Sequence, residues 1–130
     1  MGLFGGLFGS GNTEKKERKV LPWQKLERVS QLDEIVKRSK GKTQLIYKHS
    51  TSCGISKMVL NMFTEAYDFT DEQMDIYYLD LHSYREVSNE TGYKFQVMHQ
   101  SPQLLLIKNG TVVTHASHGA IMDIPLEKYV

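Results

Sequence analysis

Thr43-Gln-Leu-Ile-Tyr-Lys-His49, followed by Ser50-Thr-Ser-Cys53-Gly-Ile-Ser56, decides how the chain is read. The first seven residues are rich in strand formers, and the three polar residues after them read as a turn. A helical pattern then begins. Ile55, Met58, Val59, Met62 and Phe63 recur at three- and four-residue steps, which places them on one helix face. A cysteine at such a strand-to-helix junction lies beside the first helical turn, where free backbone N–H groups and the helix dipole favour an anion. The thiolate is such an anion, and it is the nucleophilic form of cysteine. Lys48, His49 and Lys57 are close in sequence and add positive charge.

Moving outward, Asp75–Leu81 reads as a second strand after the Cys53 helix. On the N-terminal side, Leu21-Pro-Trp23 suits a short edge strand. Ser30 suits an N-cap with Asp33 three residues on, and Gly41 suits the end of that helix. Ser83 and Glu86 form a capping-box pattern for a further helix that ends by Gly92. Gln103–Lys108 and Thr111–Ala116 are strand-like and are separated only by Asn109-Gly110. That dipeptide tolerates the positive φ angles of a type I′ hairpin turn. A short terminal helix is expected over Leu126–Val130. This order predicts an α/β fold: a mixed four- or five-stranded sheet flanked by helices, the arrangement of a thioredoxin-like domain.

Composition narrows the function classes. The chain has 130 residues, enough for one core without covalent staples, and its net charge of +1 gives no reason to expect nucleic acid as a partner. It has one cysteine, so no internal disulfide can form, and the five histidines are scattered. His115 and His118 form a His-x-x-His pair, but strand and loop histidines are more often polar rim residues than ligands, and no metal is expected. Residues 1–19 read as a flexible tail and 20–130 as the domain. Gly-Leu-Phe-Gly occurs twice in that tail, at 2–5 and 6–9, before a charged run, and its Leu and Phe side chains suit a weak membrane or partner contact. No stretch approaches the apolar length of a membrane span, nor has the start the form of a secretory signal, which points to the cytoplasm.

The site read from sequence centres on Cys53. Ser56 stands three residues on, where a dithiol oxidoreductase carries its resolving cysteine. A serine hydroxyl can donate to a thiolate but cannot form a disulfide, so exchange stops at a mixed disulfide until another thiol arrives. Ser101-Pro102 immediately precedes a strand, a position where proline costs no ladder hydrogen bond.

Lys48-His-Ser-Thr-Ser-Cys-Gly-Ile-Ser56, Met58-Val-Leu-Asn61, Val97-Met-His-Gln-Ser-Pro-Gln103 and Ile107-Lys-Asn-Gly110 resemble the YtxJ-like monothiol bacilliredoxin family, over roughly residues 20–130. The resemblance implies a thioredoxin-like fold and removal of bacillithiol from protein mixed disulfides. Cys53 is then the nucleophile with Ser56 beside it, and Ser52 and Gly54 flank the sulfur. Ser101-Pro102 is the cis-proline segment, whose exposed backbone pairs with an extended substrate. Lys48, His49, Lys57 or a backbone N–H are the candidates for holding the bacillithiol carboxylates. The implied partners are bacillithiolated proteins and a reducing thiol; no cofactor is tightly bound, and bacillithiol is the exchanged thiol. Two features depart from the family pattern: Gly119-Ala-Ile-Met is less polar after Ser117-His118, and the chain stops soon after Pro125, so the last helix is expected to be shortened. Two other readings fit a lone Cys-Gly-Ile-Ser. One is an iron–sulfur cluster carrier like the monothiol glutaredoxins, which have Cys-Gly-Phe-Ser; the other is a non-catalytic thioredoxin-like binding module.

Overall fold

The computed structural model describes residues 19–130, so the Gly-Leu-Phe-Gly tail lies outside the described residues apart from Lys19. Five strands form one sheet in the order β1-β3-β2-β4-β5. They are β1 (Gln24–Lys25), β2 (Thr43–His49), β3 (Met74–Asp80), β4 (Gln103–Lys108) and β5 (Thr111–Ser117). Three α-helices accompany them: α1 (Ser30–Arg38), α2 (Gly54–Ala66) and α3 (Arg85–Phe95). β3 runs parallel to both β1 and β2, whereas β4 is antiparallel to β2 and β5. The parallel β2–β3 pair is joined through α2, as a parallel connection requires a crossover.

β2 is buried along its whole length. A strand covered on both faces reads as a continuous apolar run, and its alternation then distributes side chains between two cores. Leu45 and Tyr47 join Leu104, Leu106, Val59 and Phe63 on the α2 face. Ile46 joins Leu105, Ile107, Leu32, Ile35 and Val87 on the α1/α3 face. Trp23 extends the first core: its ring lies 5.9 Å from Tyr47 and 6.1 Å from Phe63.

The hairpin forms as its Asn-Gly dipeptide requires, with φ of 52° at Asn109 and 82° at Gly110. Several boundaries differ from the sequence expectation. Leu21-Pro-Trp23 is a turn, because Trp23 N–H bonds back to the Leu21 carbonyl at 2.9 Å, and pairing begins only at Gln24. Ser30 is the first helical residue and makes no capping bond. Gln31 instead ties down the chain ahead of the helix, its Oε1 accepting from the N–H groups of Glu27 and Arg28 at 2.7 and 2.8 Å. α1 ends at Arg38, ahead of Gly41, and the Ser39 hydroxyl and carbonyl then accept from the N–H groups of Gly110 and Asn109 in the hairpin turn. Ser83 is held by Asp80, so α3 starts at Arg85 with no side-chain cap. α3 also runs past Gly92 to Phe95, and Gln96 supplies the left-handed residue that ends it. Gly92 serves the returning chain instead: a Cβ there would stand 3.1 Å from the Val97 carbonyl oxygen. The terminal segment is two short 3₁₀ stretches, His118–Asp123 and Leu126–Tyr129, the first of which sets Ile121 into the α2 core. Among the described residues no helix is long and apolar enough to cross a membrane.

The α2 face is a further correction. Val59 and Phe63 are buried, but Ile55, Met58 and Met62 are about half exposed, at 55%, 56% and 47%. The stripe that meets the sheet is Ser56, Val59 and Phe63, so the face turns toward Ser56 and away from the methionines.

Candidate functional site: the thiol at the N-terminus of α2

Cys53 is the N-cap residue of α2, with extended backbone (φ −110°, ψ 124°) and a partly exposed side chain. Its N–H donates to the Ser50 carbonyl at 3.3 Å, and its own carbonyl accepts from Lys57 N–H at 3.1 Å. The thiol therefore sits where the first-turn N–H groups of α2 have no intrahelical partners. Gly54 opens the helix in free space; a Cβ there would meet nothing within 4 Å.

Ser56 faces inward rather than along the surface. It is 0% exposed, and its Oγ accepts from Ser50 N–H at 3.1 Å. The same oxygen lies 3.0 Å from His49 Nδ1. His49 is itself buried, stacks near Tyr78 at 5.6 Å, and has its pKa lowered. Burial is the main cause, countered by the Asp80 carboxylate and reinforced by Lys57. Ser56 thus ties the end of β2 to the first turn of α2 and fixes the loop that presents Cys53. The expectation that its hydroxyl serves the sulfur is replaced by this inward pairing, because Ser50 N–H and His49 are buried polar groups that need partners.

Lys48 goes the other way. Alternation along β2 sends it to the α1/α3 face, where it is 0% exposed. Its Nζ donates to the Ser88 carbonyl at 3.3 Å and lies 3.5 Å from His99 Nδ1. Burial brings its pKa down to about 8. Lys48 and Cys53 are close in sequence, yet the sheet separates the lysine side chain from α2.

Ser52 is exposed, with its Oγ 3.3 Å from Ser50 Oγ and 3.4 Å from His82 Nε2. The Ser101–Pro102 bond is cis, Pro102 is buried, and its carbonyl accepts from His118 N–H at 3.0 Å. Lys48 pairs with Gln103 across β2 and β4, so Pro102 and Ser101 continue past the same end of the sheet from which β2 delivers Cys53. His82, Arg85 and His99 were not anticipated. They are scattered through the sequence and only the fold gathers them. Among the described residues, no group of three or more His, Cys, Asp or Glu side chains could hold a metal ion.

A five-stranded mixed sheet, with one free cysteine where β2 passes into α2 and a cis-proline segment at the same end, defines a thioredoxin-fold protein with a monothiol site. The chain belongs to the monothiol bacilliredoxin BrxC family, whose model matches residues 24–126. A solved protein with a thioredoxin fold is 31% identical, with a TM-score of 0.64 over 75% of this chain and 83% of that one. The Malassezia sympodialis thioredoxin superposes with a TM-score of 0.67 at 17% identity, over 85% of this chain and 93% of its own. Schistosoma mansoni thioredoxin gives 0.62 at 21% identity, over 83% and 95%. These two likenesses concern the fold, and the family match supports a thiol-redox function.

Proposed function

We propose that this protein removes bacillithiol from protein mixed disulfides by thiol–disulfide exchange at Cys53. The observation that carries the reading is a partly exposed cysteine at the N-cap of α2, with a fully buried serine at position 56. The Cys53 thiolate attacks the bacillithiol sulfur of a client–S–S–bacillithiol adduct. A Cys53–bacillithiol disulfide forms, the old S–S bond breaks, and the client departs as a thiolate with the electron pair. An external thiolate then attacks the bacillithiol sulfur, and Cys53 leaves as thiolate. Each step breaks one S–S bond and forms another, so the oxidation level is conserved and no other oxidant or reductant takes part.

Ser52 and Gly54 flank the sulfur, and the Ser101-Pro102 segment offers backbone to an extended client chain. His49 supports the loop from below, with Ser56 as its partner. The reading places the protein in the cytoplasm, where thiols are kept reduced. Mass spectrometry after exposure to oxidised bacillithiol, and separately to oxidised glutathione, tests it. The expected result is a bacillithiol adduct that forms faster than the glutathione adduct and is lost in Cys53→Ser. No adduct, or glutathione reacting at least as fast, overturns it.

A further inference from the structure

The exchange step leaves one group of basic side chains at the thiol end of the sheet without a task. Lys48 Nζ, fully buried, lies against the Ser88 carbonyl and His99 Nδ1. His82 and Arg85 stand at the same end of the sheet, with Arg85 Nη2 3.4 Å from His82 Nδ1. The charged groups that act on His99 are Lys48, Arg85 and His82, every one a positive or protonatable base. Among the described residues, no carboxylate lies within ion-pair distance of any of the four. The Ser88 hydroxyl, buried next to Lys48, has no hydrogen-bond partner among the described residues. The group is tied to the thiol loop through His82, whose Nε2 lies 2.9 Å from Ser50 Oγ and 3.4 Å from Ser52 Oγ. His82, Arg85 and His99 are exposed and form the rim, and Lys48 is the floor. Arg85 and the desolvated Lys48 ammonium carry like charges, each turned toward a histidine Nδ1 rather than a carboxylate, and an anion placed among them relieves that repulsion.

We propose that Lys48, His82, Arg85 and His99 form an anion site, joined through His82 to the loop that carries Cys53, that takes a carboxylate of the small thiol exchanged there. The inference rests on the exchange reading and assigns the part of the substrate that the sulfur chemistry does not touch. Bacillithiol carries carboxylates on its malate group, and the rim offers Arg85 to bind one of them by charge-assisted hydrogen bonds. This assignment also gives Lys48 a role on the α3 side of the sheet, with its charge reaching the ligand from beneath the rim.

Two small disulfides test it: dithiodipropionate, with a carboxylate at each end, and the neutral hydroxyethyl disulfide. The rate of mixed-disulfide formation on Cys53 is read by mass spectrometry for the wild type and for Arg85→Glu and His99→Glu, both exposed positions. Each variant is expected to slow the reaction with dithiodipropionate about fivefold more than the reaction with hydroxyethyl disulfide. Equal slowing of both, or of neither, overturns the anion site. Succinate binding, followed by the NMR shifts of the His82 and His99 rings, reads the site without exchange. Shifts in the wild type that vanish in Arg85→Glu support the site, and the absence of shifts in the wild type overturns it. A wild type that binds succinate but reacts with neither disulfide overturns the exchange reading alone.

Discussion

Two consecutive residues of β2 show how differently the two faces of the sheet are built near Cys53. His49 points toward α2 and closes a small neutral network with Ser56 Oγ and Ser50 N–H. Lys48 points toward α3 and enters a cluster of bases around His99. Both side chains are buried, and burial lowers the pKa of both. The first face is satisfied internally and works as a scaffold: it holds the loop that carries the thiol. The second face retains a desolvated charge without a carboxylate, a feature that costs stability and is suited to a ligand. Proximity in sequence to a reactive residue therefore says little about a strand residue's role, because successive side chains leave on opposite faces.

The scaffold face is the one on which damage to the fold should be largest. Phe63 is 3% exposed and packs between Tyr47 at 5.4 Å and Tyr67 at 5.6 Å. Phe63→Ala is expected to cost about 3–5 kcal/mol in urea unfolding. A loss below about 1 kcal/mol would mean that α2 does not rely on this core. Ser56→Ala removes the partner of Ser50 N–H and His49 Nδ1, so the expected loss is about 1–3 kcal/mol. Slower exchange at Cys53 should accompany it, because the loop loses its tie to α2. An unchanged midpoint would show that the network is not needed.

The opposite sign is expected on the other face. Lys48→Met removes a buried charge without a carboxylate partner, and its Tm at neutral pH should rise by a few degrees, as for a gain of about 1 kcal/mol. The pH dependence follows from the lowered pKa. Lys48 titrates near 8 in the folded protein, against an ordinary value of 10.5. Between those values the unfolded chain binds more protons, so wild-type stability rises with pH there, and below about 8 the penalty is fully present. The difference in Tm between Lys48→Met and wild type should therefore shrink as pH climbs through that window. A constant difference, or a Tm lower than wild type at neutral pH, would show that the bonds to Ser88 and His99 outweigh the buried charge. The smallest effect is expected at Met58, which is 56% exposed on α2. Met58→Ala should change stability by less than about 0.5 kcal/mol. A larger loss would return Met58 to the core, where the spacing of apolar residues alone had put it.

That spacing shows where local reading stops. Ile55, Met58 and Met62 share a helical face with Val59 and Phe63 in projection, but a helix against a sheet buries only the stripe that touches it. Ser56 lies in that stripe and turns the helix toward itself. The capping patterns at Ser30 and Ser83 do not form for a related reason: Val29 is already helical, which puts Ser30 inside the helix, and Asp80 accepts from the Ser83 N–H and hydroxyl. The Asn109-Gly110 turn and the position of Cys53 at the head of α2 were legible, since a dipeptide's φ preference and a strand-to-helix change are properties of adjacent residues.

By itself the sequence determined the lone thiol, the serine in place of a second cysteine, the strand–Cys–helix order and the hairpin, all set by neighbours a few residues apart. Tertiary structure decided which way each buried polar group turned. Ser56 reaches seven residues back to His49, Lys48 reaches forty residues on to Ser88 and fifty-one to His99, and His82 returns thirty residues to Ser52. The last three bonds join residues that only the closed sheet and its helices bring together, because a buried donor or acceptor must take whatever partner the fold places within about 3 Å of it.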